Sequence, residues 1–184
     1  MAINIVHALR EKLGLPIEKI DVKAQHQNRT ENPDNSDDLS QAATAAILVG
    51  IFKFSRTDTG ANIIATENSA NWFQTIFEDN EEEVAERVAN YATMGLPKTN
   101  TYLEQIAAVA IGLIKENVKP LDAAGVKTFM SEQRHDVLVH LPAGLRMGKI
   151  LEDETLDDRT NKMEGPVSSF LHWIEKQFSG DETK

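Results

Sequence analysis

Residues 101–118 read TYLEQIAAVAIGLIKENV, and the middle of this stretch, Ile106 to Ile114, is nine consecutive residues without a polar side chain. A helix lying on a protein surface shows polar residues every third or fourth position. This one does not, so the sequence predicts a helix buried on most sides. The run is too short to cross a bilayer, which takes roughly 20 apolar residues. Ala107, Ala108, Ala110 and Gly112 are small enough to let neighbouring helices come close. The remainder of the chain is expected to be organised as a cover for this rod.

A second apolar helix is predicted over residues 39–54, LSQAATAAILVGIFKF, with Ala42, Ala43, Ala46, Ile47, Gly50, Ile51 and Phe54 as its buried stripe. With an offset of 64 the two helices superpose: Leu39 on Leu103, Gln41 on Gln105, Ala43 on Ala107, Ala46 on Ala110 and Ile47 on Ile111. Continued without a gap, Asp58 meets Asp122, each read as the N-cap of the next short helix, and Phe73 meets Val137. Two units, about 39–78 and 103–141, thus read as a long apolar helix, a short capped helix and a short amphipathic helix. Repetition of this kind predicts two rods packed about a pseudo-twofold axis in one shared core.

Around these units the punctuation is helical. Val6, Leu9 and Leu13 recur at spacings of three and four before Gly14, which suits a helix over 4–13 with a glycine terminator. Pro16 opens a short helix with Ile17, Ile20 and Ala24 inward, and residues 25–38 form a polar loop. Short helices follow over about 60–66 and 69–78. Asn80 with Glu83 three residues later reads as a variant capping box for a helix over 80–94, with Glu81, Glu82 and Glu83 in its first turn and Gly95 at its end. Leu96-Pro97 is expected to break the chain before the rod. Beyond it, one helix is expected to about Met130, and another from Ser131 or Glu132 through Leu141. The fold class is all-α: a multi-helix bundle formed by residues 1–150 as a single domain. An acidic linker over 151–164 and a C-terminal amphipathic helix over 165–180 complete the chain. The stripe of that last helix, Val167, Phe170, Leu171, Ile174 and Phe178, must cover something, in the same chain or in another.

At 41% hydrophobic the 184 residues can bury a sizeable core. The net charge is −10 and the pI about 5.0, a balance that argues against nucleic acid as the partner. The least acidic region is 115–149, where Lys115, Lys119, Lys127, Arg134, Arg146 and Lys149 leave a net charge of +2, a candidate basic patch. There is no cysteine, which fits a reducing cytoplasm, and no signal peptide, membrane span or lipidation motif is read.

Chemistry-bearing motifs are sparse. Glu132 and His135 have the spacing of di-iron carboxylate bundles, but that chemistry takes two such motifs and two further glutamates, and this is the one copy. His135 and His140 are five apart and share no helix face; His7, His26 and His172 are isolated. The acidic runs 78–86 and 152–158 lack the loop pattern of a calcium hand. Asp58-Thr59-Gly60 matches the aspartic-protease triplet in letters, but in a helical setting the aspartate is expected to cap a helix. No phosphate-binding loop or nucleophile elbow is present. No catalytic residue, cofactor or metal is therefore assigned.

Residues 121–145, LDAAGVKTFMSEQRHDVLVHLPAGL, resemble the YidB-like bacterial family, a domain of unknown function. Leu121, Asp122, Ala123, Gly125, Val126, Phe129, Gln133 and the run Leu141–Leu145 carry the likeness. The alanine-rich helices, the first followed by Thr59-Gly60-Ala61, extend it over about 4–145. The resemblance implies an all-helical bacterial protein, partly homeodomain-like in its packing, and brings no reaction or ligand. Three functions are expected in order: a non-enzymatic helical protein acting through protein contacts or self-association, a nucleic-acid binder using 115–149, and a small-ligand carrier or enzyme with a pocket between the units.

Overall fold

A computed structural model describes residues 3–14 and 36–152. The short helix expected after Pro16, most of the polar loop, the linker beyond Glu152 and the C-terminal helix with its stripe lie outside the described residues. Those described form helices and turns, with no strand among them. In order they are α1 (Ile5–Leu13), α2 (Ser36–Ser55), α3 (Asp58–Thr66), α4 (Trp72–Phe77), α5 (Glu81–Ala92), α6 (Leu96–Asn117), α7 (Ala123–Leu138) and a last turn, α8 (Met147–Ile150).

The axis of this bundle is α2, which corrects the expectation that α6 would be. From Leu39 to Phe52 every residue of α2 is buried except Gln41, which is half-buried and donates its amide to the His140 carbonyl (2.8 Å). The predicted stripe covers only part of this helix: Ala45, Leu48, Val49 and Phe52 are also enclosed, while Phe54 is half-buried. α3, α4, α5, α6 and α7 all pack on α2. Burial is not free of polar cost, since the Thr44 hydroxyl is enclosed with no hydrogen-bond partner among the described residues. That carries a desolvation penalty of about 1–3 kcal/mol, which the apolar contacts on every side offset.

α6 is amphipathic instead. Leu103, Ile106, Ala107, Ala110, Ile111, Leu113 and Ile114 face the bundle, whereas Ala108 is exposed and Val109 and Gly112 are half-exposed. Of the three outward positions of the apolar run, Ala108 and Gly112 are small and place little apolar area in water, and Val109 is half-covered. The inner face meets α1, α2, α4 and α5. Of the helices that precede the rods, α1 packs on α6, whereas α5 packs on both α2 and α6.

Helix ends depart from expectation in several places, each for a local reason. α1 starts as expected, with Asn4 accepting from the His7 amide (3.0 Å) and Gly14 closing the helix in the left-handed region. α2 begins three residues before Leu39, with Asp37 and Asp38 in its first turn, where the dipole favours them. Asp58 is not the cap of α3; Thr57 is, its Oγ1 accepting from the Gly60 amide (2.9 Å). Asp122 does cap α7, accepting from the Gly125 amide (2.7 Å). The two caps therefore correspond at an offset of 65. In both, a Cβ on the glycine would collide with a backbone carbonyl oxygen, that of Phe54 (2.1 Å) or of Pro120 (2.3 Å).

The capping box at Asn80 does not form. A 3-10 turn over Glu78–Asn80 runs straight into α5 and leaves Asn80 helical, so its side chain caps nothing and Glu83 pairs with Arg87 instead. α5 ends at Thr93 in the left-handed conformation, with the Met94 amide donating back to the Ala89 carbonyl (2.8 Å). Gly95 is the N-cap of α6, and Pro97 sits in the first turn of that helix instead of breaking the chain before it. α7 is continuous through Ser131, because that position holds no proline or glycine to stop it. The Leu141–Leu145 stretch ends in a 3-10 turn, with Leu145 fully buried and its carbonyl accepting from Arg87 (3.4 Å).

Candidate functional site

The outer face of α6 is the feature of the described surface that the fold does not use. Thr101, Gln105, Ala108, Val109 and Gly112 recur at helical spacing on one side and are exposed or half-exposed. None is ionisable. Two polar neighbours on the flanks are turned to other work: the Tyr102 hydroxyl hydrogen-bonds Ser40 (2.8 Å), and Glu104 accepts from the amides of Trp72 (2.9 Å) and Phe73 (2.7 Å), capping α4. The strip is bounded at one end by the exposed Lys98 and at the other by the Lys12–Glu116 ion pair (3.2 Å). A Cβ added at Gly112 would meet nothing within 4 Å, so the space above the helix is open.

The other helices of nine residues or more each present charge to solvent. α1 shows Arg10, Glu11 and Lys12; α2, Asp37 and Asp38; α3, Asp58; α5, Glu82, Glu83 and Glu86; α7, Glu132 and Arg134. In a chain that is 26% charged, an uncharged strip about 16 Å long on the longest helix stands apart.

The basic residues singled out in the sequence are spread over several elements. Lys115, near the end of α6, lies over the Trp72 ring (5.4 Å to its centroid) and donates to the Glu67 carbonyl and to Asn68 Oδ1 (3.0 Å). Lys127 on α7 pairs with Asp58 at the start of α3 (2.5 Å). Its hydrogen bond and its charge hold the Asp58 carboxyl below the ordinary carboxylate value. Lys119 is exposed in the turn before α7, Arg134 is exposed on α7, Arg146 sits in a left-handed turn before α8, and Lys149 is on α8. Lys115 and Lys127 are thus committed to contacts within the fold.

Glu132 and His135 are both exposed on α7, while His140 is buried with its Nδ1 against the Asp136 carbonyl (2.6 Å). His7 is exposed beside Glu11. Among the described residues no three His, Cys, Asp or Glu side chains are grouped to hold a metal. Val167, Phe170, Leu171, Ile174 and Phe178 lie outside the described residues.

Two polar residues have structural roles that the sequence did not announce. Gln133 is buried and clasps the N-terminal segment, accepting from the Ile5 amide and donating to the Ile3 carbonyl, both at 2.9 Å. Glu104 caps a helix that begins 32 residues earlier. Both act over long sequence separations, which no local pattern announces.

Compared with known proteins, the chain matches no family model, no curated protein and no solved structure.

Proposed function

We propose that this chain is a non-enzymatic helical protein that works through protein contacts, with the outer face of α6 as its contact surface. The carrying observation is that face: uncharged, lined by Ala108 and Gly112, open above, and continuous over about three turns. Small residues let a partner helix approach closely, so that backbone as well as side chains contribute contact. The charged surfaces of the other helices keep the rest of the molecule soluble and direct association to one side.

The same reading places the protein in the cytoplasm, in keeping with its lack of cysteine, and among YidB-like bacterial proteins, in keeping with Leu121–Gly125 and Leu141–Leu145. No helix among the described residues is long and apolar enough to cross a membrane. The nucleic-acid reading loses support from Lys115 and Lys127, whose charges already have intramolecular partners.

The test is affinity capture from host lysate, with and without nuclease, by the parent chain and by the Ala108→Lys variant. A protein retained after nuclease and lost with Ala108→Lys is the expected result. Capture that is indifferent to Ala108→Lys would remove α6 from the reading. Capture that collapses with nuclease would replace the reading with nucleic-acid binding, which should then weaken steeply with salt.

A further inference from the structure

We infer that the α6 face is covered, in the same molecule, by the chain's own C-terminal segment 166–178. This rests on the reading of that face as a contact surface, and it names the occupant. Five observations converge. The segment carries Val167, Phe170, Leu171, Ile174 and Phe178, an apolar stripe at helical spacing. Leaving such a stripe in water is unfavourable, at roughly 1.5–3 kcal/mol for each large side chain. The described body has closed its own core, with Leu96 and Leu121 as its exposed large hydrophobic residues, one at the start of α6 and one before α7. Neither makes a stripe.

The α6 face is the matching surface. It is uncharged, and its small outward residues leave room for bulky ones: Phe170, Leu171 and Ile174 have side chains to insert, while Ala108 and Gly112 have none to obstruct them. The lengths also agree. From Val167 to Phe178 and from Thr101 to Gly112 are each eleven helical steps, about 16 Å.

The chain can reach it. The described residues end at Glu152, just after α8, which packs on α5, and α5 packs beside α6. Two helix-to-helix spacings of about 8–10 Å separate α8 from α6. Residues 153–165 span up to about 43 Å when extended, so the linker has length to spare. A tether of that kind presents the tail at an effective concentration of order millimolar, which favours the same molecule over a second copy in dilute solution. The tail thereby occupies the surface a partner needs, and partner binding requires its displacement.

The absence of native cysteine allows a direct test in the full chain. Ala108→Cys combined with Ile174→Cys, oxidised at low micromolar concentration, is expected to give an intrachain disulfide with a monomer's mass. A disulfide-linked dimer would overturn the proposal in favour of a second copy; no disulfide would overturn it altogether. A second measurement is independent of cross-link geometry. With Ala108→Cys alone, thiol labelling is expected to accelerate by about tenfold or more when Phe170→Glu and Ile174→Glu are added, the protection lost on undocking. Equal rates would overturn the proposal. If Ala108→Lys abolishes partner capture while neither thiol result appears, the contact surface stands and the tail is not its occupant.

Discussion

Helices α2 and α6 are made of the same materials, alanine and branched aliphatic residues with one glycine in the C-terminal third, yet α2 is enclosed and α6 has an open side. The difference lies in which residues point away from the partner helix. α2 turns Leu48, Val49 and Phe52 to its remaining sides, and other helices must come to cover them. α6 turns out Ala108 and Gly112, which demand no cover. The outward residues, and not the length of an apolar run, decide whether a helix becomes an axis or a wall. The glycines mirror this: a Cβ at Gly50 would lie 2.2 Å from Phe77 Cζ, and one at Gly112 would touch nothing.

The largest expected contrast is between Ala46→Asp and Ala108→Asp. Ala46 is fully buried, and a carboxylate there has no partner to offset its desolvation; a loss above about 4 kcal/mol, or failure to fold, is expected. Ala108 faces away from that core, so the same change should leave the body folded and cost at most about 1–2 kcal/mol, through weaker docking of segment 166–178. Urea unfolding of the two variants gives both numbers. Next comes the glycine pair. Gly50→Ala forces the buried Phe77 ring away from Phe73, with which it packs at 5.2 Å between centroids, and should lose about 1–3 kcal/mol. Gly112→Ala should gain about 0.5–1 kcal/mol from helix propensity. Losses at both glycines would erase the contrast between the helices.

A smaller effect sharpens what α6 contributes through its polar side. Glu104→Ala removes the acceptors for the Trp72 and Phe73 amides and should cost about 1–2 kcal/mol in chemical denaturation. The smallest effect belongs to the exposed Asp58–Lys127 pair, which ties α3 to α7. Lys127 lowers the Asp58 pKa, so whatever stability the pair adds is present above the ordinary carboxylate range and is lost as pH falls through the lowered value. Thermal melts of Asp58→Asn and the parent across pH should show a slight difference at neutrality that closes on acidification and shrinks with salt. A gap that widens in acid would mean the pair is not the source.

Much of the helical architecture was legible in the sequence because periodicity and terminators are local. Asn4, Gly14 and Asp122 mark helix ends as read, and the two apolar helices are where the residue pattern put them. Burial was legible only in part. Ala108 and Gly112 count as apolar in any pattern, but their small size makes their exposure inexpensive, and so the open face of α6 was hidden inside an apolar run. Asn80 failed as a cap because the preceding turn had already set its backbone. The duplication is only partly matched: the caps at Thr57–Gly60 and Asp122–Gly125 correspond, but the second unit has the continuous α7 where the first has α3 and α4. Of the candidate site, the tail stripe was readable and its counterpart on α6 was not, because only the fold distinguishes an outward alanine from an inward one.

Native-state hydrogen exchange, resolved by residue, tests the contrast most directly. The expected result is that amides of Ala42 to Phe52 in α2 exchange only through global unfolding, while those of Gln105, Ala108 and Gly112 on α6 exchange through openings of lower free energy. Protection in the outer turns of α6 equal to or above that of α2 would contradict it and return α6 to the centre of the fold.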